Sequence, residues 1–97
     1  MRHEIVLAPQ AIGDYRRLEA HFRGVVRDAI ETHLRHQPTR TSKSRIKRLR
    51  GLSRPQYRLR VGELRVFYDV ADSTVQILAI VAKSLANEWL ERCGEKS

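Results

Sequence analysis

Arg58, Arg60 and Arg65 are the residues whose type and spacing speak most directly of chemistry. Arg58 and Arg60 alternate with Tyr57, Leu59 and Val61, and Arg65 stands between Leu64 and Val66. A period of two marks strands whose successive side chains leave by opposite faces. With the apolar set turned to a core, Arg58 and Arg60 point away from it, and Arg65 on the neighbouring strand shares their parity. Guanidinium groups gathered this way repel one another unless an anion lies between them, and their forks match phosphate oxygens bidentately. Asp69 and Glu88 are acids that would otherwise pair with them, but these are too few to pair all three.

The same stretch carries the charge of the whole chain. Of 97 residues, 19 are Lys or Arg and 11 are Asp or Glu, a net charge of +8. Residues 40–65 hold ten of the basic groups and a single acid, Glu63, so this segment nets +9 and the remainder −1. Such a block is the electrostatic footprint of a polyanion partner, most often nucleic acid. Other classes are disfavoured. No apolar run approaches the ~20 residues of a membrane span, and Met1-Arg2-His3-Glu4 opens without a signal-peptide apolar region. The lone Cys93 excludes an internal disulfide framework and a cysteine-built zinc site, and a reducing cytoplasm fits best. His3, His21, His33 and His36 have no carboxylate or second histidine at metal spacing, so neither a metal nor a cofactor is expected.

The elements that must position these residues follow from periodicity. His3 to Leu7 reads as a strand with Ile5 and Leu7 on one face. Pro9 opens a helix at a position where its missing N–H had no partner, with Ile12, Tyr15, Leu18 and Phe22 at helical spacing. Val25, Val26, Ala29, Ile30 and Leu34 form a second helix that Pro38 ends, joined to the first near residues 19–24, where Gly24 lies. Residues 39–55 read as a loop with at most one helical turn, anchored by Ile46, Leu49 and Leu52. Three strands then follow: one from Gln56 to Val61, one from Leu64 to Val70 after a reversal at Gly62, and the nearly all-apolar Val75–Ala82. Ser84 to Arg92 is amphipathic, with Ser84 as N-cap, and Gly94 to Ser97 is expected to fray. The order β-α-α-β-β-β-α predicts one α+β domain over residues 1–97, an antiparallel sheet packed against an N-terminal helical hairpin and a C-terminal helix.

Leu49-Arg50-Gly51-Leu52, followed by Tyr57-Arg58-Leu59-Arg60-Val61-Gly62-Glu63-Leu64-Arg65-Val66-Phe67-Tyr68-Asp69-Val70, resembles the core signature of RelE/ParE-superfamily toxins. The apolar strand Val75–Ala82 and Lys83 continue the likeness, which covers nearly the whole chain. It implies a type II toxin held inactive by a cognate antitoxin, an acidic protein that would cover the cationic face. RelE-like members are ribosome-dependent messenger-RNA endonucleases that use no metal. ParE-like members share the fold and poison DNA gyrase. On the matched strands, Arg50, Arg58 and Arg65 fall where the nuclease branch is cationic and contacts RNA. Lys83 falls near the basic residue after the last strand, and Trp89 where that branch has a tyrosine.

Metal-free cleavage of RNA by its own 2′-hydroxyl needs a base, donors for the dianionic phosphorane and an acid for the 5′-oxygen. Arg58 and Arg65 suit the dianion and Lys83 the leaving oxygen, while Lys47, Arg50 and Arg60 suit the RNA backbone and Trp89 a stacked base. Where RelE-type sites place lysines, this chain has Gln56 and Arg58, and a guanidinium does not readily surrender a proton. Lys47 and Tyr68 are the remaining base candidates. The leading expectation is therefore an endoribonuclease acting on messenger RNA at the ribosome. A non-catalytic gyrase poison, or an inactive RNA-binding relative, is the alternative.

Overall fold

The computed structural model describes residues 1–97. The elements are β1 (Glu4–Leu7), α1 (Pro9–Arg17), α2 (Ala20–Leu34), β2 (Ile46–Arg48), β3 (Leu52–Arg54), β4 (Tyr57–Val61), β5 (Leu64–Ala71), β6 (Thr74–Ala82), a 3-10 turn (Lys83–Leu85), α3 (Ala86–Cys93) and β7 (Glu95–Lys96). This is the α+β architecture that the periodicity predicts. Five strands form one sheet in the order β1-β6-β5-β4-β2, and β3 and β7 pair separately.

The meander β4–β5–β6 is antiparallel throughout. β1 lies against β6 in parallel, because the chain returns to that edge only after crossing the sheet. The two faces then separate by parity. Leu59, Val61, Val66, Tyr68, Val75, Ile77 and Ile80 meet Ala11 of α1 and Val26, Ile30 and Leu34 of α2 in the main core. Phe67 and Ala79, cross-strand partners facing the other way, lie under Trp89 of α3. A bulge beyond the Phe67–Ala79 pair absorbs Leu78 on β6, which shifts that strand's parity so that Ile77 and Ile80 both face the main core.

Several local expectations need correction. The helix joint is at Leu18 and Glu19, both in extended conformation, and Gly24 lies inside α2, where a helix tolerates glycine at a cost of about 1 kcal/mol. Residues 39–55 contain two short strands rather than a helical turn. Ile46 is buried as the inward residue of β2, which pairs with β4. Ser84 does not cap α3: a 3-10 turn precedes it, and Leu85, its N-cap, makes no side-chain capping bond. The C-terminal residues are tied down, since Glu95 and Lys96 pair with β3. Gly94 makes that connection, for a Cβ there would stand 2.5 Å from Leu90 O and 3.2 Å from Leu52 Cδ2.

Candidate nucleic-acid interface

The register of the β4–β5 hairpin fixes the cationic face. Arg60 pairs with Arg65 and Arg58 with Phe67, and across the other edge of β4, Lys47 of β2 pairs with Arg58. Gly62, with φ +57°, allows the two-residue reversal that sets this register. Directly opposed side chains have Cβ atoms about 5 Å apart, where like charges are destabilising. The Lys83 N–H donates to Glu63 O at 2.7 Å, which brings the end of β6 beside the same turn. The result is a cleft of about 340 Å³ lined by Lys43, Ser44, Lys47, Arg58, Arg60, Gly62, Glu63, Arg65 and Lys83, with no apolar side chain.

None of its cations has a carboxylate within 4.0 Å. Asp69 is engaged by Arg54 of β3 at 2.9 Å and Glu88 by Arg92 of α3, so neither offers charge relief. Arg65 is only 7% exposed. Its Nη1 donates to Gly62 O at 2.8 Å and to Leu64 O at 2.9 Å, clamping the turn from within. Arg58 Nη2 donates to Ser44 O at 3.1 Å, while its Nε is buried with no partner. Burial, then the nearby charges of Arg65 and Arg60, lower the Arg58 pKa from its ordinary value. An unsatisfied buried donor costs about 1–3 kcal/mol.

The other sequence candidates are placed differently. Arg50 is exposed in the turn between β2 and β3, beside Gly51 at φ +75°, and does not line the cleft. Trp89 is 5% exposed. Its ring stacks on Phe67 with centroids 5.0 Å apart and planes 9° apart, and its Nε1 donates to Gln10 Oε1 at 3.2 Å. It is a roof over the small core under α3, with one face and its only donor already used. Tyr68 is withdrawn as a base: its hydroxyl donates to Pro38 O at 2.6 Å on the helical side of the sheet, and burial followed by the neighbouring Tyr57 pushes its pKa well above the usual phenol range. No three His, Cys, Asp or Glu side chains come together as a metal cluster.

Sequence reading missed Lys43, Ser44 and Glu63 as lining residues. The available signal was the alternation of buried Ile46 with outward Lys47, which identifies residues 46–48 as a strand on the edge of β4 and carries the preceding loop over the arginines.

The sheet, with two helices on one face and one on the other, resembles the fold of chains in solved toxin–antitoxin complexes. The RelBE2 complex of Mycobacterium tuberculosis contains a chain similar to this one with a TM-score of 0.69 and 23% identity, covering 84% of this chain and 99% of that one. The RelB–RelE antitoxin–toxin complex of Methanococcus jannaschii gives 0.63 and 20%, covering 87% and 96%. The RelE–RelB complex of Pyrococcus horikoshii OT3 gives 0.56 and 20%, covering 86% and 97%. These likenesses define the fold as that of RelE-like toxins. Residues 5–84 match the family described as ParE toxin of type II toxin-antitoxin system, parDE, and the chain belongs to it. It is a type II toxin of the RelE/ParE superfamily. No curated protein matches its sequence.

Proposed function

We propose that the protein is a ribosome-dependent messenger-RNA endonuclease that stops translation and is neutralised by a cognate acidic antitoxin. The observation that carries this reading is the cleft at the β4–β5 hairpin, where Lys43, Lys47, Arg58, Arg60, Arg65 and Lys83 converge without a carboxylate partner and Arg58 Nε lacks any hydrogen bond. A phosphodiester supplies the negative charge that these unpaired cations lack.

In the reaction, the 2′-oxygen of one nucleotide bonds to the adjacent phosphorus as its proton leaves to a base. The bond to the 5′-oxygen then breaks and that oxygen gains a proton. The products are a 2′,3′-cyclic phosphate and a 5′-hydroxyl. Arg58 and Arg65 stabilise the dianionic phosphorane, the term that commonly dominates such catalysis. Lys83 protonates the leaving oxygen. Lys47, opposite Arg58 in register, is the remaining candidate for the base. Arg60 holds the backbone of the message.

A second reading, a gyrase poison that performs no chemistry, is favoured by the match to a ParE family and by the excess of arginine over proton acceptors in the cleft. A translation extract with primer extension of a reporter message separates the two. New 5′ ends inside the reading frame support the nuclease. An intact message together with inhibited supercoiling by gyrase establishes the poison instead.

A further inference from the structure

The cleft does not end at the hairpin. Ser44, Arg60 and Gly62, which line it, also line a second cleft that includes Arg45. Arg45 in turn lines a third, with Thr32 and His33 of α2 and Gln37, Arg40, Thr41, Ser42 and Ile46. The three share walls in series and make up a path of adjoining clefts from the β4–β5 turn past Arg45 to the C-terminal end of α2. Glu63 is the only acid along its length, and Ile46 the only large apolar residue.

The far end is built rather than merely basic. The Arg60 N–H donates to Arg45 O at 2.8 Å, and the N–H groups of Arg45 and Ile46 both donate to Ser42 Oγ. The backbone of this loop is thereby fixed to the edge of β4, and the position of Arg45 is set relative to Arg60. Arg45 has no carboxylate partner, and Arg40 spends one donor on Gln37 Oε1 at 3.0 Å. Burial and the neighbouring Arg45 hold the His33 pKa below its usual value.

We infer that Arg40 and Arg45, with His33 and the hydroxyls of Thr32, Thr41 and Ser42, form a second phosphate subsite that holds the same single-stranded RNA whose scissile phosphate lies at Arg58 and Arg65. The inference rests on the nuclease reading and extends it to how the strand is held. The chemistry of the walls favours a nucleic-acid backbone over an acidic peptide. A protein segment that orders on binding needs apolar anchors, and the path offers almost none. A phosphate backbone needs only charge and donors.

The test is fluorescence anisotropy with 2′-O-methyl oligoribonucleotides, which cannot be cleaved, against the full-length protein over a range of salt. On single strands each neutralised phosphate contributes a slope of about −0.7 in log K against log salt. Arg40→Gln with Arg45→Gln should flatten the slope for a long strand by about 1.4, from two lost contacts, and leave a trinucleotide unaffected. Arg40→Lys with Arg45→Lys should keep the slope, and circular dichroism checks that each variant is folded. An unchanged long-strand slope in the double Gln variant, while Arg58→Gln weakens both strands, overturns the subsite alone. Absence of binding by the unmodified protein likewise overturns the subsite, whereas the nuclease reading, being ribosome-dependent, stands or falls on primer extension in the translation extract. If polyglutamate binding depends on Arg40 and Arg45 and RNA binding does not, the path belongs to a protein partner and the inference fails.

Discussion

Arg58 and Arg65 have the same charge but are held in different ways, and mutation should separate them. Arg58 has a free buried Nε and one tie to a loop carbonyl. Arg58→Gln should lower message cleavage by ~10²–10³-fold, the usual cost of one lost transition-state donor, with the melting temperature preserved. Arg65 also satisfies Gly62 O and Leu64 O, so Arg65→Ala should lose cleavage and about 1–3 kcal/mol of stability together. Primer extension and thermal melting of the two variants check this, and equal losses of stability would refute the distinction. Tyr68→Phe removes the donor to Pro38 O. It should lower stability by about 1–3 kcal/mol and leave cleavage intact, whereas abolished cleavage in a stable Tyr68→Phe protein would restore the phenol as the base. His33 gives the fold a pH dependence of known sign. Its pKa is depressed from 6.5, first by burial and then by Arg45. The folded state therefore favours neutral imidazole, and the stability this contributes is present above the unfolded value and lost as pH falls through the folded one. His33→Gln should flatten the fall in melting temperature below about pH 6.5, and an unaltered profile would show that His33 titrates alike in both states.

At the scale of elements, α3 is a strap whose attachment is Trp89. Its stack on Phe67 and its bond to Gln10 hold the helix over the sheet face that carries the cationic cleft. Trp89→Ala should cost about 3–5 kcal/mol, enough to threaten a domain of this size, while Trp89→Phe retains the stack and, with it, cleavage. A stable Trp89→Ala protein that has lost only RNA binding would instead show the ring acting on a base. Which elements were legible in the sequence has a physical pattern. The hairpin was, because Tyr57-Arg58-Leu59-Arg60-Val61 and Leu64-Arg65-Val66 alternate without interruption and Gly62 marks the turn. That alternation also brought Arg58, Arg60 and Arg65 onto one face. β2 and β7 were not, since three and two residues are too few to display a period and their pairing is decided by tertiary neighbours. Ile46, Leu49 and Leu52 mimic helical spacing because each is the inward residue of a different local segment. Trp89 lies on an amphipathic helix, and its sequence could not say whether the ring faces Phe67 or solvent.

For the whole molecule the net charge of +8 is less informative than its placement. Residues 40–65 net +9 against −1 for the remainder, and the fold draws much of that block into adjoining clefts rather than dispersing it. A diffuse charge and a localised one predict different behaviour at equal net charge. Diffusional steering senses the molecule as a whole at low salt, but screening beyond about 10 Å at 0.1 M leaves only local contacts to hold a bound polyanion. Arg2→Gln with Arg16→Gln, both exposed and remote in sequence from the block, takes the charge from +8 to +6. Lys43→Gln with Lys47→Gln makes the same change inside the cleft. Association with ribosomes, followed by co-sedimentation at rising salt, should be nearly unchanged in the first pair above 0.1 M. In the second pair it should be weaker and less salt-dependent, because contacts that release counterions have been removed. Equal effects of the two pairs would mean that the ribosome reads total charge, and the cleft would then have no privileged place in recognition.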